Sequence, residues 1–509
     1  MKTASRSGRN VEYSIIRCSE LGGARRFDAE YYEPKYLENE RILKNYANGY
    51  YELQTILKDK NGLVGGATPL GANYLKKDGI KFIRVQNVME NFLDLSNLVY
   101  IDSTTHNGLL KRSRLQPNDV LLTITGVTYG KSATVPKSLG KANINQHSVR
   151  IVLNSELILP YFLSTFLNCK FGKNQSDRRI TGLSRPGLVY SELRTIVIPR
   201  VDMKLQMRVQ KLVAYADKLL DQSKDLYHKA ETTLLEELNL KDWKPSTKKI
   251  IVGGTEIEEE ENISIHNALE VLTTGRMDAE YFQPACDSLL KTFDGRLELR
   301  PLQKLLIDFQ KGVEVGSEQY QEGGKPFIRV SNLSTHGLVD RDQKYINTDL
   351  YAELKATFEP VVGDLLLTKD ATPGVAYLVK DPVEGIISGG ILKLKVNEDA
   401  IDGEYLAICI NSIVGRSQID RDGGGSVITH WRPEQIKKLR IPLLLQKTQQ
   451  SIASLVQQSH KARVKAMKLL EIAKKSVEIA IEQDEVKGLN YLKEEVEKIK
   501  ENEAKTENK

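Results

Sequence analysis

MKLQMRVQKLVAYADKLLDQSKDLYHKAETTLLEELN, residues Met203 to Asn239, is the stretch on which the architecture turns. Leu205, Val209, Leu212, Ala216, Leu219, Ser223, Leu226 and Ala230 recur at alternating spacings of four and three, the a/d pattern of a heptad seam. No Pro or Gly breaks it, and Lys, Glu, Asp and Gln fill the other positions. It reads as one helix, on the order of 50 Å long at ~1.5 Å per residue. Leu445 to Asp484 has the same character, with Ile452, Leu455, Ser459, Ala462, Ala466, Leu469, Ala473, Ser476 and Ala480 as its seam. Small residues dominate that second seam, which suits close packing against another helix. Two unrelated exposed helices would be the plainer reading. The seams predict instead that the helices pair and hold apart whatever precedes each one.

A chain of 509 residues exceeds one hydrophobic core, so two to four domains are expected. Apolar content of 40% with 28% charged residues is ordinary for a soluble protein, and the net charge of +6 is mildly basic. Cys18, Cys169, Cys286 and Cys409 are scattered without a C-x-x-C pair, which fits a reducing compartment and argues against a disulfide framework or zinc site. Met1 to Asn10 is polar with no apolar core behind it, and no apolar run approaches ~18 residues, so neither signal peptide nor membrane span is expected. The expected location is the cytoplasm.

Self-similarity fixes the rest. Phe27-Asp28-Ala29-Glu30-Tyr31-Tyr32-Glu33-Pro34 returns as Met277-Asp278-Ala279-Glu280-Tyr281-Phe282-Gln283-Pro284. Phe82-Ile83-Arg84-Val85-Gln86-Asn87 returns as Phe327-Ile328-Arg329-Val330-Ser331-Asn332, and Asn118-Asp119-Val120-Leu121-Leu122-Thr123 as Gly363-Asp364-Leu365-Leu366-Leu367-Thr368. Tyr161 and Ile198-Pro199 have their counterparts in Tyr405 and Ile441-Pro442, and each copy then enters its long helix. Chance would not keep these matches collinear. Each copy reads as mixed α/β: an opening helix, short β-rich runs such as Asp119 to Ile124 and Asp364 to Thr368, then a helix from Pro160 or Gly403. The expected layout is a globular segment over 1–202, a long helix over 203–240, a linker over 241–262 with an acidic run from Glu256 to Glu261, a second globular segment over 263–444, a second long helix over 445–490, and a charged tail over 491–509. The tail is expected to prolong the helix and fray, with Ala504 to Lys509 disordered.

Enzyme motifs are missing. Gly126-Val127-Thr128-Tyr129-Gly130-Lys131-Ser132 has three residues between its glycines where a phosphate loop needs four, and the second copy has no lysine there. No N/D-P-P-Y/F/W loop accompanies a Gly-rich cofactor loop, the Glu33/Lys35 and Glu353/Lys355 pairs lack an upstream strand Asp, and the seven histidines show no metal-ligand spacing. No active site, cofactor or metal is expected. What remains are polar and basic residues at strand ends and in loops of both copies. In the first these are Arg84, Gln86, Asn87, Thr125, Tyr129, Lys131, Gln146 and His147, with Arg178, Arg179 and Arg185 in a loop over 173–185. In the second they are Arg329, Ser331, Asn332, Lys369, Asp370, Arg416, Arg421, His430, Trp431 and Arg432. Arg, Asn and Gln can make bidentate contacts to base edges, whereas Lys, Ser and Thr more often hold phosphates. The strongest DNA-contact candidates are Arg84, Gln86, Asn87, Tyr129, Lys131, Arg178, Arg179, Arg185, Arg329, Asn332, Lys369, Arg421, His430 and Arg432. Positions that differ between copies are the better candidates for reading sequence.

In this duplicated order, Asp28-Ala29-Glu30-Tyr31 and Asp278-Ala279-Glu280-Tyr281, the G/N-D-[VL]-L-L-T strands and the Ile-Pro exits resemble the DNA-specificity (S) subunit of type I restriction–modification systems. The resemblance spans nearly the whole chain. It implies two homologous target recognition domains, each reading one half of a bipartite, asymmetric site in double-stranded DNA. It also implies that the long helices form an antiparallel, pseudo-two-fold coiled coil that docks two methyltransferase (M) subunits, joined by restriction/translocase (R) subunits. The S subunit is non-catalytic. The acidic linker departs from the pattern. The recognition subunit of a fused, type IIB-like restriction–methylation system is the near alternative, and a coiled-coil scaffold that binds no DNA the distant one.

Overall fold

Every residue of the strands Val120–Thr123 and Asp364–Thr368 is buried, as a continuous apolar run in a central strand requires. The computed structural model describes residues 4–6, 9–11, 13–18, 21, 26–69, 74–75, 78–96, 98–126, 128–182, 187–245, 247–252, 255–260, 266–274, 276–279, 281–340, 342–423 and 430–507. The chain divides into two units: Met1–Asp221 with Ala462–Lys509, and Gln222–Lys461. Both divisions fall inside the long helices, so each unit holds a piece of each helix.

In the first unit, Val120–Thr123 lies in a four-stranded antiparallel sheet in the order Leu63–Gly65, Ser148–Ile151, Val120–Thr123, Ser132–Thr134. A three-stranded sheet, Val99–Ile101, Ile80–Ile83, Ala142–Ile144, pairs its last two strands in parallel. The second unit repeats both orders, with Leu306–Lys311, Ile391–Val396, Asp364–Thr368, Ala376–Leu378 and with Lys344–Ile346, Lys325–Ile328, Ile386–Ile387, again with one parallel pair. Local chemistry repeats too. Asp119 accepts from the Gln116 amide at 2.6 Å and Asp364 from the Val361 amide at 2.9 Å, each turning the chain into its central strand. The preceding residues, Asn118 and Gly363, sit at φ +72° and +93°, which explains why Asn and Gly alternate there.

Buried amide side chains close the joints between helix and sheet. Gln175, on helix Lys170–Arg179, donates to the Val197 carbonyl at 2.8 Å and accepts from the Val197 amide at 2.7 Å. Gln418, on helix Ile413–Gly423, makes the same two bonds with Arg440, at 3.0 and 2.9 Å. Gln206 accepts from Leu159 at the start of helix Pro160–Asn168, and Gln449 accepts from Asp402 at the start of helix Gly403–Asn411. These glutamines tie each long helix and each last strand to its globular core.

The long helices run Met203–Glu237 and Gln446–Glu482. In the first unit Leu205, Val209, Leu212, Ala216 and Leu219 share one core with Ala466, Leu469, Ala473 and Ala480. Asp202 donates its amide to Glu485 at 3.0 Å, and the Lys465 ammonium lies 5.6 Å from the Tyr215 ring centre, so this stretch of the pair is antiparallel. In the second unit Ala230 and Leu234 meet Ile452 and Val456. Ser223 and Ser459 are buried there: the Ser459 hydroxyl donates to the Ser223 carbonyl at 2.6 Å, with the two hydroxyls 3.0 Å apart. The expected seam shifts at Leu226 and Leu455, which are half-buried while Tyr227 and Val456 are buried.

Two expectations are corrected. The tail is a separate helix, Glu485–Glu507, whose Leu492 is buried in the first unit's core while Leu489, Val496 and Ile499 pack against it. Ser476 donates to the Gly488 carbonyl at 2.8 Å and fixes the return. The apolar spacing Leu489, Leu492, Val496, Ile499 provides the inward face that the abundance of Lys and Glu obscures; Asn508 and Lys509 lie outside the described residues. The segment over 241–262 is not simply a linker: Thr247–Val252 pairs antiparallel with Thr255–Glu260, as Ala4–Arg6 pairs with Arg9–Val11 before the first copy. The acidic run therefore lies largely in a strand, and the duplication starts earlier than the opening motif.

Gly172 and Gly415 pack closely against backbone at matching places in the two units. A Cβ on Gly172 would sit 2.3 Å from the Phe166 carbonyl oxygen, and one on Gly415 2.0 Å from that of Ile410. Gly415→Ala is expected to lower stability by about 1–3 kcal/mol in urea unfolding, whereas Gly323→Ala, with nothing within 4 Å, leaves the midpoint unchanged.

Candidate nucleic-acid interface

The opening motifs are built as clasps. Arg26 forms a two-pronged ion pair with Asp28, its Nε 2.8 Å from the carboxylate, and its guanidinium lies 4.7 Å from the Tyr31 ring centre. Arg178 stacks on the same ring at 4.3 Å, donates to the Tyr31 carbonyl at 2.9 Å and pairs with Glu40. The second copy repeats this. Arg276 holds Asp278 at 2.7 and 2.6 Å, and Arg276 and Arg421 stand 4.8 and 5.3 Å from the Tyr281 ring centre. The paired arginines hold Asp28 and Asp278 below the usual carboxylate range. Glu280 lies outside the described residues. Arg26 and Arg276 were legible: the repeat extends one residue upstream of the aligned motif.

These clasps reassign several candidates. The segment expected as a loop over 173–185 is helical through Arg179, and the helix turns Arg178 and Arg179 inward. Arg179 is 2% exposed, bonded to the Gln175 and Thr195 carbonyls, and burial lowers its affinity for a proton. Arg421 is half-buried against Tyr281 and 3.3 Å from Asp287. Asn87 and Asn332 are 2% and 1% exposed; each accepts from the Arg three residues before it and donates to a carbonyl, Asp94 or Val339. All these side chains hold the fold together. Arg185 lies outside the described residues.

The others gather where strands end. Arg84 and Arg329 open short turns after Ile80–Ile83 and Lys325–Ile328. The Arg329 guanidinium is 3.0 Å from the Asp342 carboxylate, and Gln86 is exposed. Beside these turns, the Asn145 amide bonds the Ile83 carbonyl at 3.2 Å, and Ser388 bonds Ile328 at 2.8 Å. These bonds bring the loop of Gln146 and His147 to Arg84, and the loop of Gly389 and Gly390 to Arg329. The third participant is the end of the central strand. Ile124 bonds the His147 carbonyl and Lys369 the Gly390 carbonyl, both at 2.9 Å. Leu188 then bonds Ile124, and Trp431 bonds Lys369, both at 2.8 Å. The backbone frame is therefore the same in both units.

Side chains on that frame differ. In the first unit Thr125 Oγ1 lies 2.5 Å from His147 Nδ1, and Gln146 lies 3.1 Å from His147 Nε2. In the second, Asp370 lies 2.5 Å from Lys369 and 2.8 Å from His430. Lys131 and Tyr129 stand in the strand-end loop of the first unit, half-buried, with the Tyr129 hydroxyl 3.0 Å from Asp177. Arg432 is exposed at the start of the turn Pro433–Lys437. Trp431 is buried and donates to Asp422 at 3.2 Å. Among the described residues no group of three or more His, Cys, Asp or Glu could hold a metal, and no helix is long and apolar enough to cross a membrane.

No protein-family model matches the chain, and no curated protein does. Solved structures do. The chain is similar to S subunits of type I restriction–modification systems. With the S subunit from M. genitalium it shares 12% identity over 89% of this chain and 96% of that one, at a TM-score of 0.35. With a chain from a structure of complex assembly in the type I R-M system the values are 14%, 86%, 97% and 0.27. With the HsdS subunit from Thermoanaerobacter tengcongensis they are 13%, 86%, 96% and 0.25.

Arg178→Ala breaks the ion pair with Glu40, the stack on Tyr31 and the bond to its carbonyl, so it is expected to lower the unfolding free energy by about 3 kcal/mol, read as a lower thermal midpoint. The exposed Arg432→Ala leaves that midpoint within about 0.5 kcal/mol of the parent. Equal effects would mean that the clasp does not hold the unit.

Proposed function

We propose that the chain is the sequence-recognition subunit of a type I restriction–modification complex. Each unit reads one half of a bipartite, asymmetric site in double-stranded DNA, and the paired helices dock two methyltransferase subunits, to which restriction/translocase subunits join. It supplies recognition and no catalysis. One observation carries this reading: two units of identical sheet order present the same strand-end frame with different side chains on it. A frame kept constant while its polar groups vary is what two readers of unlike half-sites need. The exposed or half-buried Arg84, Gln86, Lys131, Arg329, Lys369, His430 and Arg432 are the proposed contact set.

The full chain, with and without its methyltransferase partner, is to be titrated with a random-sequence duplex pool across salt. Tight binding that falls steeply as salt rises, with enrichment of a two-part sequence, is the expected result. Absence of duplex affinity even at low salt would overturn the reading. Adding one heptad to both long helices is expected to widen the gap between the enriched half-sites by ~10 Å, about three base pairs; an unchanged gap would remove the helices as the ruler.

A further inference from the structure

The strand-end frame carries a histidine in each unit, and the two are held in different ways. His147 has both ring nitrogens engaged, Nδ1 at 2.5 Å from Thr125 Oγ1 and Nε2 at 3.1 Å from Gln146. His430 is engaged on one side: Nδ1 lies 2.8 Å from Asp370 Oδ1, and no described residue bonds Nε2. Its side chain is 68% exposed, whereas that of Asp370 is 23% exposed. Asp370 is itself fixed, 2.5 Å from the Lys369 ammonium, whose side chain is 12% exposed. Lys369 and its neighbours hold the carboxylate below the usual range, so it stays ionised.

An ionised carboxylate can only accept, so the proton of a neutral His430 sits on Nδ1 and Nε2 is left as an acceptor. Where the first unit has His147, the second has Gly390; a Cβ placed there would lie 2.8 Å from Val330 and 3.6 Å from Asp370. Arg329, which follows Lys325–Ile328, stands on the same frame.

We propose that His430, oriented by Asp370, is a specificity-determining residue of the second unit, and that its Nε2 selects a base edge that donates in the major groove, cytosine N4 or adenine N6. Guanine O6 and N7 and thymine O4 offer that nitrogen only acceptors. Asp370 acts as a positioning residue. His147, with both nitrogens engaged by its own neighbours, does not play this part in the first unit. The assignment rests on the DNA-recognition reading above and adds the chemistry of one base pair to it.

The test is base preference, read by selecting sequences from a random duplex pool with the full chain and with His430→Ala, His430→Lys, Asp370→Asn and His147→Ala. The parent is expected to show a cytosine or adenine preference at one position of one half-site. His430→Ala and Asp370→Asn lower discrimination at that position about tenfold and leave the other half-site intact. His430→Lys, a donor with no acceptor, moves the preference to guanine. His147→Ala leaves that position unchanged. Thermal midpoints of the variants equal to the parent's keep the comparison free of folding effects, because His430 is exposed. An unaltered sequence preference in His430→Ala, or a change spread equally over both half-sites, overturns the assignment while the DNA-recognition reading stands. A parent chain that enriches no sequence overturns both.

Discussion

Buried backbone groups must find hydrogen-bond partners, and at the joints of this fold amide side chains supply them. Gln175 and Gln418 each satisfy both backbone groups of one residue in a last strand, and Gln206 and Gln449 cap the helix that begins beside each long helix. Asn168 and Asn411 do the same for Ser132 and Ala376, an edge strand of each sheet. Each joins a helix to a strand edge or to the start of another helix. The sheets whose strand ends carry the polar groups are held to their helices at these points.

The duplication made most of the architecture legible. Matched motifs fixed which segments are equivalent, and heptad spacing placed the starts of the long helices within one residue, while the expected ends at 240 and 490 overran the observed Glu237 and Glu482. Short apolar runs such as Val120–Thr123 were readable as strands because nothing polar interrupts them. Sheet order was not readable: the parallel pairing of Ile80–Ile83 with Ala142–Ile144 joins segments far apart in sequence, and no local pattern encodes it. The helix Glu485–Glu507 was hidden by composition, since four apolar residues on one face are few among so many charges.

The candidate site was half legible. Polar residues at strand ends emerged from the pattern, yet the same pattern offered Arg178, Arg179 and Arg421, which stack on Tyr31 and Tyr281 or satisfy carbonyls instead. Sequence alone does not separate an arginine that faces a partner from one that faces a tyrosine, because both carry the same charge on the same side chain. The difference lies in which way the helix Lys170–Arg179 is rolled, and its low apolar content left that undecided. Asn87 and Asn332 are a similar case: the residue type suits base recognition, but the turn consumes both ends of the amide.

The allocation of the chain between the units carries a consequence for biosynthesis. Gln222–Lys461 is unbroken, whereas Met1–Asp221 needs Ala462–Lys509 to cover its core. As the polypeptide leaves the ribosome, the half begun second has all its parts first. The half begun first waits with the apolar side of Leu205 to Leu220 uncovered until Ala466, Leu469, Ala473 and Leu492 emerge. Vectorial synthesis ordinarily favours the earlier domain; here it reverses the order of completion.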